Sequence, residues 1–127
     1  MRKLILYLGI VFCVLIILVA IPRYYGDHEV SRGDLARWDI KALSDSLERY
    51  KDANGYYPTT EQGLKYLESP PQGEKQILGR LPKDPWGNDY HYTYPGRYNK
   101  KGYDIVSYAA DNMPGGEGES EDISNWK

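Results

Sequence analysis

The chain has 127 residues, enough for one small domain beyond an N-terminal apolar run, and its 16 basic and 18 acidic residues leave a net charge of −2. That balance excludes a nucleic-acid partner, which needs a basic face. The lone cysteine, Cys13, excludes an internal disulfide, and 13 Tyr and 3 Trp against 1 Phe fit a thin core near solvent or an interface.

Residues 1–25 read as a membrane anchor and 26–127 as the domain that it carries. Leu4 to Ile21 is apolar and uncharged; as a helix it would span about 27 Å, close to the hydrocarbon thickness of a bilayer. Arg2 and Lys3 precede it, which keeps the N-terminus cytoplasmic and sends the rest across. Tyr24 and Tyr25 suit the interfacial belt, and Pro22 weakens the helix end. A cleaved signal peptide needs a shorter apolar core and a small-x-small site; Leu18-Val19-Ala20 is a poor match, so the anchor is expected to be retained.

From Ser31 to Asn54 the pattern is helical. Ala36, Ile40, Leu43, Leu47 and Tyr50 recur three or four apart on one face, which Leu35 and Trp38 broaden. Asn54-Gly55 is a stop signal. Gly26 and Gly33 weaken the join to the anchor but still allow one long stem, part in lipid and part in water.

In "YYPTTEQGLKYL", residues 56–67, Thr59 and Gln62 have capping-box spacing, so a short helix is expected from about Thr60, burying Leu64 and Leu67. Pro70-Pro71 ends it, and a loop-rich stretch follows in which Leu81 and Trp86 are expected to reach the core. "YHYTY" (90–94) places Tyr90, Tyr92 and Tyr94 on one side of a strand and His91 and Thr93 on the other. "YDIVSYA" (103–109) is a second strand, joined to the first as a hairpin with a long loop.

Enzymatic chemistry is absent. There is no phosphate loop, no Cys/His cluster, and no histidine placed to serve Ser107; His28 and His91 read as surface residues. The ending "YAADNMPGGEGESEDISNW" is the unusual feature. Its carboxylates Asp111, Glu117, Glu119, Glu121 and Asp122 are interleaved with glycine, and Ile123 and Trp126 then ask for burial. Two readings stand: a solvated acidic tail, or a loop closed by a calcium ion, which takes about six to eight oxygens from carboxylates, carbonyls and water. Asp111 would supply one carboxylate and Asp122 or Glu121 another.

The stretches "YKDANGYYPTTEQGLKYL", "LPKDPWGNDYHY" and "YDIVSYAADNMPGGEGESEDISNW", with the "AIP" that closes the apolar run, resemble the major pseudopilins of type II secretion systems over most of residues 20–126. The resemblance implies an α+β fold: a long N-terminal helix, membrane-spanning in its first half, packed on a small antiparallel sheet, with a calcium-binding C-terminal loop. It implies a structural, non-enzymatic subunit in the bacterial inner membrane, single-pass with a periplasmic head. That subunit would form a filament with copies of itself and other pseudopilins, alongside inner-membrane secretion components and lipid. The ligands that it implies are the side chains of Asp111 and Asp122, with Glu121, and carbonyls around Tyr108, Met113 and the 117–120 segment. The family's leader motif, a glycine followed by Phe-Thr-Leu-Ile-Glu, has no counterpart here; aligned on Pro22, its glutamate falls on Ile5 and its phenylalanine on Met1. The alternative role is a non-polymerising anchored binding module of the same fold.

Overall fold

Asn54 and Gly55 end the main helix where the sequence places its stop, and Ser31 starts it. The computed structural model describes residues 9–18 and 30–127. Residues 9–18 are helical (α1) and exposed, and Cys13 with them. Among the described residues no helix is long and apolar enough to cross a membrane. Arg2, Lys3, the two ends of the Leu4–Ile21 run, Pro22, Tyr24, Tyr25, Gly26, Asp27 and His28 lie outside the described residues.

Helix α2 runs Arg32–Asn54. Ser31, in extended conformation, accepts from the Asp34 backbone N–H at 3.1 Å, and its hydroxyl donates to Asp34 Oδ2 at 2.7 Å. This is an N-cap, so α2 itself begins at Ser31; the join to the apolar run on which the single-stem reading depends falls on residues outside the described ones. Asp34 in the first turn and Lys51 in the last both suit the helix dipole. The predicted face is buried: Ala36, Ile40, Leu43, Leu47 and Tyr50. Leu35 and Trp38 do not broaden it; they are exposed, at 41% and 59%. At about 100° per residue they sit one and two steps off the Ala36 line, rotated out of the contact.

The Thr59–Gln62 capping box forms in both directions, with Gln62 Oε1 accepting from Thr59 N at 2.7 Å and Thr59 Oγ1 from Gln62 N at 3.3 Å. Gly63 then takes a positive φ, so the regular helix α3 is displaced to Lys65–Glu68. Leu64 and Leu67 are buried as expected. The Leu67 carbonyl accepts from Ile77 and Leu78, which draws the following loop back onto the core.

Strands β1 (His91–Thr93), β2 (Asp104–Ser107) and β3 (Ile123–Ser124) form an antiparallel sheet in the order β1-β2-β3, with Tyr92 opposite Ile105 and Val106 opposite Ser124. Tyr90 and Tyr92 face the core, while His91 and Thr93 are exposed. Leu81, Trp86 and Tyr94 are partly buried against the same core.

Helix, strand ends and loops are tied together through phenols as well as methyl groups. Tyr90 donates to Asp39 Oδ2 at 2.9 Å, Tyr57 to Glu48 at 2.8 Å, and Tyr103 lies 3.1 Å from the same Glu48. Tyr92 donates to the Pro58 carbonyl at 2.8 Å, and Tyr50 and Tyr56 both bond Glu74. Burial pushes the phenols of Tyr90, Tyr92 and Tyr103 well above the ordinary tyrosine range, and the neighbouring Asp39 or Glu48 adds to this for Tyr90 and Tyr103.

Candidate metal centre

The acidic ending is folded. Ile123 is buried and pairs with Ser107, and Trp126 stacks on Tyr98. Between β2 and β3 the chain makes two 3-10 turns, Ala109–Asp111 and Gly118–Ser120, which pack on each other. The backbone is in the left-handed region at Ala109, Asn112, Gly115, Gly116 and Gly118, which curls this short segment tightly.

Asp122 closes the curl: its Oδ2 accepts from the Gly115 backbone N–H at 2.8 Å. Its other oxygen, Oδ1, is buried and has no hydrogen-bond partner among the described residues. A buried polar oxygen without a partner costs about 1–3 kcal/mol, so a cation that met Oδ1 would stabilise the loop. Asp111 is exposed and its Oδ1 accepts from Met113 N at 3.1 Å. Met113 is 61% exposed, and the half-buried Tyr108 ring lies 4.4 Å from His91. Glu121 is exposed and points elsewhere, into a cleft of about 240 Å³ that it shares with Arg32, Arg37, Trp86 and Glu119. Asp122 instead lines a cleft of about 380 Å³ with Arg97, Tyr98, Tyr108 and Trp126.

Among the described residues no three His, Cys, Asp or Glu side chains converge as a metal cluster. A calcium ion here would therefore take Asp122 and Asp111 as carboxylates and complete its shell with backbone carbonyls and water. The donors fit that ion: hard oxygens, one of them buried and unmatched, on a segment already bent.

Two buried aspartates brace the loops around this segment. Asp84 is 4% exposed; its Oδ1 accepts from Trp86 N at 3.1 Å and Asn88 N at 2.7 Å, and its Oδ2 from the Ser107 hydroxyl at 2.6 Å. Asp104 is equally buried and accepts three backbone N–H groups of the hairpin loop, from Arg97, Tyr98 and Asn99, at 2.6, 2.8 and 2.9 Å. Ser107, unremarkable in sequence, is fully buried between Asp84 and the loop. The Asp-Pro-Trp-Gly-Asn string does carry a readable signal, an Asx turn.

Comparison with known proteins agrees with this architecture. A family model described as type II secretion system (T2SS), protein G matches residues 23–126. A type II secretion system core protein G of Vibrio cholerae is 42% identical over 113 residues, 84% of this chain and 76% of the relative. One of Pseudomonas aeruginosa is 37% identical over 116 residues, 85% of this chain and 80% of the relative. The crystal structure of the major pseudopilin from the type 2 secretion system of enterohaemorrhagic Escherichia coli superposes with a TM-score of 0.62 at 40% identity, covering 75% of this chain and 86% of that one. On the match across residues 23–126 and these identities, the chain belongs to the type II secretion system protein G family.

Proposed function

We propose that this chain is a structural subunit of a type II secretion pseudopilus, held in the inner membrane by its N-terminal segment, with a periplasmic head. Subunits pack with copies of themselves and with other pseudopilins, next to the inner-membrane secretion components, and the role is mechanical rather than catalytic. The observation that carries this is the family match over residues 23–126, which takes in the helix, the sheet and the acidic loop together. When bound, calcium supplies positive charge to Asp122 and Asp111 and holds the loop closed; the buried, unpartnered Asp122 Oδ1 is what supports it. Overproduction in cells followed by electron microscopy and crosslinking tests the assembly: thin fibres of crosslinked copies are expected. A chain that stays monomeric in the membrane would instead favour the anchored binding module. Thermal melting of the full chain in detergent tests the metal: the midpoint falls when calcium is chelated, and an unchanged curve removes calcium from the account.

A further inference from the structure

The peptide groups on either side of Ala109 are both clamped by side chains. The Ala109 N–H donates to Ser107 Oγ at 3.1 Å, and that hydroxyl is in turn fixed by donating to Asp84 Oδ2 at 2.6 Å. The Ala109 carbonyl accepts from Asn88 Nδ2 at 3.0 Å. Between these clamps Ala109 sits at φ 50°, a conformation that costs a non-glycine residue about 1–2 kcal/mol and so needs support from its surroundings.

The planarity of the peptide bond gives this clamp a direction. The Ala109 N–H and the Tyr108 carbonyl belong to one trans unit, so pinning the N–H inward onto Ser107 turns the Tyr108 oxygen to the opposite side. Tyr108 O is one of the carbonyls implied as a metal ligand, and Asp111 follows two residues later. We infer that Asp84, Ser107 and Asn88 form a positioning network that sets the Tyr108–Asp111 backbone for calcium. This rests on the calcium reading of the loop.

None of the three residues is itself a ligand. Asp84 is saturated by its own turn and by Ser107, and the Asn88 side chain is committed to Ala109. They act as outer-shell groups that aim inner-shell oxygens, and loss of such groups lowers metal affinity by about 10- to 100-fold.

The test is calcium titration of the purified full chain in detergent, followed by calorimetry and by hydrogen exchange of residues 108–122. Asn88→Ala is the first variant and Ser107→Ala the second. Asn88→Ala is only partly buried and keeps the fold if the deeper change does not. Both are expected to bind calcium about tenfold or more weakly and to leave the loop exchanging faster at a fixed calcium concentration; the chelated Asn88→Ala chain melts close to wild type, whereas Ser107→Ala, which strands Asp84 Oδ2, melts lower without calcium and loses still more with it. Wild-type affinity in Asn88→Ala, with the wild type itself binding calcium, overturns the positioning role alone. A wild-type chain that does not bind calcium overturns both this role and the metal reading. A loss of melting temperature equal with and without calcium reduces the network to ordinary packing and overturns the inference.

Discussion

The ring of Tyr98 lies almost flat on that of Trp126, with centroids 4.4 Å apart and planes 8° from parallel. One residue belongs to the β1–β2 loop and the other to the last turn of the chain, so the stack clasps two segments that the sheet alone leaves loose. An aromatic pair of this kind contributes about 0.5–1.5 kcal/mol beyond its area. A double-mutant cycle on Tyr98→Ala and Trp126→Ala is expected to give a coupling energy in that range by urea unfolding. Strict additivity would mean that the stack holds nothing.

Asp122 offers a sharper test, because its two oxygens sit differently. Oδ2 is satisfied by Gly115, and Oδ1 is buried without a partner among the described residues. If calcium binds as proposed, Asp122→Asn would remove a charged ligand from it and is expected to cost on the order of 2 kcal/mol in calcium buffer. With chelator no ligand is lost, and the substituted amide can still accept from Gly115 N–H, so the net cost falls to well under about 1 kcal/mol. Chemical unfolding in the two buffers measures both; equal costs would show that Oδ1 meets no cation.

Asp104 holds the hairpin loop through three backbone N–H groups, and Gly96 is where the loop passes over it. A Cβ on Gly96 would stand 2.6 Å from Asp104 Oδ1 and 2.7 Å from the Asn99 carbonyl, with no flexible neighbour to give way. Gly96→Ala is therefore expected to cost at least about 2 kcal/mol, and Asp104→Ala, which strands all three N–H groups, about 3 kcal/mol. Denaturant midpoints check both.

The buried phenols set the alkaline limit. An unfolded tyrosine loses its proton near pH 10 or so, while Tyr90, Tyr92 and Tyr103 keep theirs to higher pH in the fold. Their contribution is whole below the unfolded pKa and is lost as pH rises above it, because only the unfolded chain then releases protons. Unfolding midpoints are expected to drop steeply from about pH 10 upward, and less steeply in Tyr92→Phe. A flat profile to pH 11 or so would contradict the burial of these hydroxyls.

What the sequence reveals divides along the range of the interactions. Ser31, Gly55 and the Thr59–Gln62 pair act within a few residues, and the helix and turn that they bound can be read directly. The alternation from Tyr90 to Tyr94 is equally local. By contrast, Asp39 looks like surface charge until Tyr90 arrives from across the fold, and Asp84 reads as a turn residue until Ser107 is placed beside it. Within the candidate site, Asp111 and Asp122 stand out in the sequence as acids of one glycine-rich segment, but the separation of Glu121 from Asp122 follows from the extended backbone at Glu121, which sends neighbouring side chains to opposite sides. Trp38 belongs to an apolar stripe on paper and to solvent in the fold, because no element of the described head covers that side of α2.

The phenol links between sheet and helix have a mechanical consequence. Methyl groups in contact can slip past one another at little cost, but a hydroxyl pulled off its carboxylate gives up a directed bond and leaves a largely buried phenol without its partner. Sliding the sheet along α2 would break the Tyr90–Asp39 and Tyr103–Glu48 links together. The head should therefore resist shear, and a load applied along the helix would reach the far strand without being lost in rearrangement.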